Sequence, residues 1–260
     1  MMHQLNAGMT LAYRDVLKLL RDRGRLVATF VFPFIFIGIL GGSLQSSYGQ
    51  TGGMNLFDFV FTGILGQTLF QSAAIGIISL IEDRENDFSQ EVFIAPISRY
   101  TIIMGKIAGE GLVALVQAVG ILVFARILGV SISLPQLMRS VPAMVAVCLF
   151  GGAFGVLVLG SIRTQRAANM VFPFIMLPQF FLSGVFLPVD KQKPFLSALS
   201  QLSPMRYAVD LIRGTFYMGR ADEAEAVLKS VPFNLGLMTV LFVVFLVIGT
   251  TRFVKQETER

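Results

Sequence analysis

The chain has no tryptophan, one cysteine (Cys148) and one histidine (His3), and only 14% of its 260 residues are charged. Each scarcity removes a class of function. A lone cysteine cannot close an intrachain disulfide, and Cys148, set in an apolar run, reads as a small core residue. One histidine close to the start supplies neither a metal-ligating cluster nor a nucleophile and base pair, so no metal and no catalytic residue is expected. No glycine-rich stretch ends in Gly-Lys-Ser or Gly-Lys-Thr, which excludes nucleotide binding by a phosphate loop. What is abundant is apolar: 54% of the residues are hydrophobic and the mean hydropathy is +0.72, values that exclude a soluble single domain and point to an integral membrane protein. The net charge of +5 is carried by residues flanking apolar segments. Membrane topology and anionic lipid account for it better than nucleic acid does. No cleaved signal peptide is expected at the start, since the first apolar run lacks a small-residue cleavage site.

The hydrophobic pattern predicts an all-α membrane protein forming one transmembrane domain over residues 1–260, with six spans at about 26–44, 57–81, 107–130, 141–161, 167–187 and 235–253. Residues 1–25 read as an amphipathic interfacial helix whose polar side carries Arg14, Lys18 and Arg21. Pro33, Pro173 and Pro178 predict bent spans, and Gly151, Gly152, Gly155 and Gly160 give the fourth span a small-residue face for close helix packing. Positive residues count five before the first span, three in the second-to-third connection, two in the fourth-to-fifth link and three in the tail. That bias places both termini in the cytoplasm of a multi-pass protein of the plasma or inner membrane. The connection 188–234 carries six, but long connections weigh little in this rule.

Two stretches hold most of the information. Residues 82–106, EDRENDFSQEVFIAPISRYTIIMGK, are the densest charge in the chain and lie between two spans. Read from residues alone, they are either a solvated connection or a short helix along the membrane with Phe88, Val92 and Phe93 as its apolar edge, ended by Pro96, with Ser98 capping the next helix. The second stretch, FLSGVFLPVDKQKPFLSALSQLSPMRYAVDLIRG, has two apolar helical pieces, 194–202 and 205–216, too short to span yet more apolar than an outer loop needs. Taken in order, these motifs resemble the coupling stretch and the C-terminal signature of type-2 ABC exporter permeases, drug or polysaccharide exporter-like. The chain departs from that family in having Asn86-Asp87 where a glycine is frequent.

The resemblance implies a coupling helix at 82–96 with Glu82, Arg84, Glu85, Phe88, Glu91 and Pro96 meeting a cytoplasmic ATPase, and two re-entrant helices within 188–220. It implies that the second and fifth spans of two permease copies meet at the centre. On that reading Gln67, Gln71, Phe174, Gln179, Phe180, Phe181 and Ser183 line the path; on the residues alone, helix-to-helix hydrogen bonds and lipid-facing aromatics explain them as well. The implied partners are two copies of an ABC ATPase, which would bind the ATP and magnesium, a second permease chain, identical or related, and membrane lipid. The implied function is export of a hydrophobic or amphipathic compound, such as a drug, antibiotic or lipid. A polysaccharide or lipid-linked glycan is the alternative cargo, which the lack of tryptophan disfavours. The rival from another class is an ion-coupled transporter or channel, for which Asp58, Glu110 and Arg126 are the candidate intramembrane charges; all three are expected at span ends, in reach of water.

Overall fold

A computed structural model describes residues 13–19, 21, 23–43, 46, 55–85, 99–186 and 194–258. Every regular element among them is helical. Residues 13–19 form α1. Then follow α2 (Arg23–Ile35), which runs on through a π-helical turn (Phe36–Gly41), α3 (Leu56–Gly76), α4 (Ile78–Glu85), α5 (Arg99–Ile127), α6 (Leu134–Leu159), α7 (Gln165–Leu182), α8 (Pro194–Ser200), α9 (Pro204–Tyr217), α10 (Glu223–Ala226) and α11 (Val231–Thr258). Among the described residues, four helices are long and apolar enough to cross a membrane: Leu56–Glu82, Tyr100–Ile127, Leu134–Leu159 and Glu223–Lys255. The segments expected as first and fifth spans are helical too, as α2 with its π turn and as α7.

The boundaries follow local chemistry. Asn55 caps α3 by accepting from the Phe57 and Asp58 amides. Ser133 and Gln136 form a capping box at the start of α6, with Pro135 in the first turn, where its missing N–H costs nothing. Thr164 accepts from the Ala167 amide to open α7. Pro33 cannot donate back along α2, and the π turn begins three residues beyond it.

The centre of the molecule is α3, which packs against α5, α6 and α9. It has almost no amphipathic character because it is surrounded: of its residues only Phe57, Thr68, Gln71 and Ile75 are not buried. Close approach rests on glycine. A Cβ on Gly66 would stand 2.9 Å from Val209 Cα of α9, and one on Gly155 of α6 would stand 3.0 Å from Ala74 Cα. Of the four glycines expected to form a small-residue face, Gly151 and Gly155 turn to α3, while Gly152 meets Ile107 of α5 and Gly160 meets Gly249 of α11. Aromatic rings close the remaining gaps, with Phe70 against Phe150 and Phe154 (centroids 5.6 and 5.3 Å) and both of those against Phe245 of α11 (5.7 Å each). Cys148 is buried, as its apolar run suggests.

The second expected re-entrant piece, α9, is more enclosed than the sequence suggests. All of its residues from Met205 to Tyr217 except Tyr207 are buried. Its polar residues are internal ties: Asp210 accepts from the Leu228 and Lys229 amides and from Asn234 Nδ2, each at 2.8 Å, and so holds the entry to α11. Arg213 donates to the carbonyls of Phe59 (3.2 Å) and Val185 (2.9 Å) while its guanidinium lies 3.5 Å over the Phe59 ring. Arg206 donates to the Ser200 hydroxyl of α8.

Candidate functional site

Three groups of residues bear on function, and two lie near opposite ends of the long helices. At one end, α4 runs into the charged stretch and α5 emerges from it. Glu82 is half-buried and Glu85 exposed. The Glu85 carboxylate accepts from the Gln165 amide at 3.2 Å, so the last described residue before residues 86–98 caps the first turn of α7. Arg84 is helical. Phe88, Glu91, Pro96 and Ser98 lie outside the described residues, as do residues 1–12 of the expected interfacial helix.

Within the same end, α1 is fastened to α5 by charge. Lys106 Nζ stands 2.7 Å from Asp15 Oδ2 and 3.1 Å from Glu110 Oε1, and Glu110 also accepts from the Ser79 hydroxyl of α4 at 3.2 Å. Arg14 is half-buried and reaches Asp15 at 3.4 Å, whereas Lys18 and Arg21 are exposed. Asp15 carries no weight in the sequence reading, because nothing near it in sequence marks it as paired.

At the other end, Asp58 at the start of α3 meets Arg220 Nη1 at 2.9 Å. Arg220 also holds Asp222 at 3.0 and 3.1 Å and lies 4.7 Å over the Tyr217 ring. Burial works against the Arg220 charge; the hydrogen bonds and charges of Asp222 and Asp58 outweigh it and raise its pKa above the ordinary value. This corrects the expectation that Asp58 and Glu110 sit in reach of water. Both are almost wholly buried, at 3% and 2% exposure. A carboxylate in such a place needs a cation, and Arg220 and Lys106 provide it. Arg126 is exposed, as expected.

The third group is the expected path. Gln67 is buried and donates to Gln71, which is half-exposed beside Thr68 and Ile75 on the one open stripe of α3. On α7, Phe174 and Phe181 are exposed at 80% and 66%, and Met170 and Leu177 continue the same face. The other candidates turn inward. Gln179 accepts from the Met205 amide (3.3 Å), Ser183 donates to the Phe180 carbonyl (2.9 Å), and Phe180 packs on Phe186 and Phe36 (5.0 and 6.2 Å). Among the seven, Gln71, Phe174 and Phe181 are the ones a substrate or second chain can reach.

Residues 7–217 match the family described as ABC-2 type transporter, a span that includes the charged stretch 82–106 and both short helices α8 and α9. The chain belongs to the ABC-2 type transporter family. A comparison with curated proteins finds no match. As an ABC-2 membrane domain it is the permease component of a transporter, not its ATPase, and it is a multi-pass membrane protein whose kind associates with an ABC ATPase. Among the described residues no cluster of His, Cys, Asp or Glu suits a metal ion.

Proposed function

We propose that this permease is the membrane subunit of an ATP-driven exporter, in which two permease chains pair with two cytoplasmic ATPase subunits and move a hydrophobic or amphipathic compound along their shared face. α2 with its π turn and α7 complete six crossings, and both termini lie in the cytoplasm. The observation that carries the reading is the Glu85 bond to the first turn of α7. One residue thereby connects the stretch expected to meet an ATPase with the helix that bears the exposed Phe174 and Phe181.

The mechanism is mechanical. ATP and magnesium, bound by the partner, would drive the ATPase subunits together. The segment 82–96 would carry that movement into α4, into α5 and, through Glu85, into α7. Lys106 would oblige α1 to follow α5. The apolar α7 face and the Gln71 stripe suit a substrate that is apolar over most of its surface. The intrachain pairing of Asp58 and Glu110 favours this reading over ion coupling, because each carboxylate already has a cation of its own chain.

The test is a mild-detergent pull-down of the tagged chain with mass spectrometry, beside transport assays of Glu85→Arg at matched membrane abundance. Co-purification of a protein with a phosphate-loop ATPase motif, with transport lost in Glu85→Arg, supports the reading. Retention of that ATPase by the variant assigns Glu85 to transmission within the chain; its loss assigns Glu85 to the docking contact. Recovery of the wild-type chain alone, or normal transport by the variant, overturns the coupling role.

A further inference from the structure

A groove of about 550 Å3 opens between α6, α7, α11 and the turn joining α8 to α9, and the permease reading makes no use of it. Ile175 and Gln179 line it from the side of α7 turned away from Phe174, Leu177 and Phe181, so of the expected path residues only Gln179 reaches it. Phe154 and Leu157 of α6 and Leu241 and Phe245 of α11 form its apolar length. From Leu237 to Phe245 it follows α11 for about 12 Å at the helical rise. None of its lining residues is charged.

Polarity is confined to the end beside the α8–α9 turn. There the Tyr207 hydroxyl donates to the Gln201 carbonyl at 2.7 Å and Gln179 holds the Met205 amide, which fixes that end in shape. The Gln201 side chain is exposed at the rim. Two walls, α6 and α11, are helices able to cross a membrane, and only 17% of the apolar window of α11 is buried within the chain. The groove therefore opens on a surface that meets hydrocarbon rather than water.

We propose that this groove holds one acyl chain of a bilayer lipid, entered sideways from the membrane, with the polar linkage of the lipid beside Gln201 and its hydrocarbon running towards Phe154 and Phe245. An uncharged lining excludes an ion or a charged group from the interior. An apolar length closed by an amide at one end matches a molecule that is hydrocarbon over most of its length and hydrogen-bonding at one end. The volume lies within the range of about 300–1,000 Å3 usual for small-molecule sites. The occupant is resident lipid rather than exported compound, because the α7 helix stands between the groove and the Phe174 face.

The experiment places the full chain in phosphatidylcholine vesicles doped with a phosphatidylcholine whose acyl chain carries a photoreactive diazirine, and maps adducts by mass spectrometry. Val243 and Val247, exposed on α11 and absent from the groove lining, report ordinary lipid contact. Adducts on Leu241, Phe245 and Leu157 that resist washing with unlabelled lipid, and that fall at least tenfold in Leu241→Trp while those at Val243 and Val247 persist, establish the site. Adducts that exchange as fast at Leu241 as at Val243, or that Leu241→Trp leaves unchanged, overturn it. Labelling at Val243 with none in the groove also overturns it, by showing that protein covers the groove. Melting of Leu241→Trp within a few degrees of wild type confirms that the filled groove leaves the fold intact, and Ile175→Trp fills it from the opposite wall should that variant fail to fold.

Discussion

Lys106 Nζ lies 2.7 Å from Asp15 Oδ2, across 91 residues of sequence, and both side chains are buried. Glu110, one helical turn further along α5, shares the same ammonium group. Two carboxylates on one cation form an arrangement that tolerates loss of a carboxylate better than loss of the lysine. The helix expected to lie among the headgroups is thereby fixed to α5, the next described helix after the stretch expected to couple to an ATPase.

Lys106→Met should cost about 3–5 kcal/mol, the range for removing one partner of a buried ion pair, because Asp15 and Glu110 lose the buried ammonium group they share. The measurement is thermal unfolding of the purified chain in one fixed detergent. Asp15→Asn/Lys106→Met/Glu110→Gln should recover most of the loss, since it removes the uncompensated charge. A single variant as stable as wild type would mean that water or lipid headgroups already screen the triad.

Gly66→Ala should destabilise by about 1–3 kcal/mol, the usual cost of overpacking, since the new methyl would meet the Val209 Cα of α9. Gly236→Ala is the matched control. It lies in α11 with nothing within 4 Å of the added carbon, so helix propensity alone acts and stability should rise by up to about 1 kcal/mol. Detergent melting curves of the two variants should move in opposite directions.

Because Cys148 is the only cysteine, Cys148→Ala provides a background for single-cysteine mapping. If two permeases meet through α7, Phe174→Cys, Leu177→Cys or Phe181→Cys should form an oxidant-induced dimer on a gel, within the Cα separation of about 7 Å that a disulfide allows. Val243→Cys, exposed on α11, should not. Cross-linking at Val243 with none on α7 would place the pairing face elsewhere.

Much of the helical plan was legible in the sequence, for reasons that are local. The helix starts at Asn55, Ser133 and Thr164, none of them anticipated, are nonetheless fixed locally, since each side chain accepts from an amide two or three residues ahead. The short helices expected at 194–202 and 205–216 appear as Pro194–Ser200 and Pro204–Tyr217. The glycine face of α6 was legible too, because small residues at helical spacing have few other uses in a membrane. The path residues were legible only as a set. The resemblance supplied seven candidates, but which of them face outward depends on what packs behind α7 and α3, and Phe180 turned inward because Phe36 and Phe186 lie there.

By itself the sequence determined the membrane class, the approximate positions of the helices, the charged stretch between the second and third spans and the absence of a phosphate loop, since composition and spacing along one chain carry those properties. Only the tertiary structure decided which charges are satisfied. Asp58 finds Arg220 across 162 residues and Asp15 finds Lys106 across 91, and no rule of spacing connects residues so far apart. An apolar interior makes each buried carboxylate costly unless it is paired, so the fold buries Asp58 and Asp15 by bringing distant cations to them, whereas Glu110 meets Lys106 one turn away on its own helix.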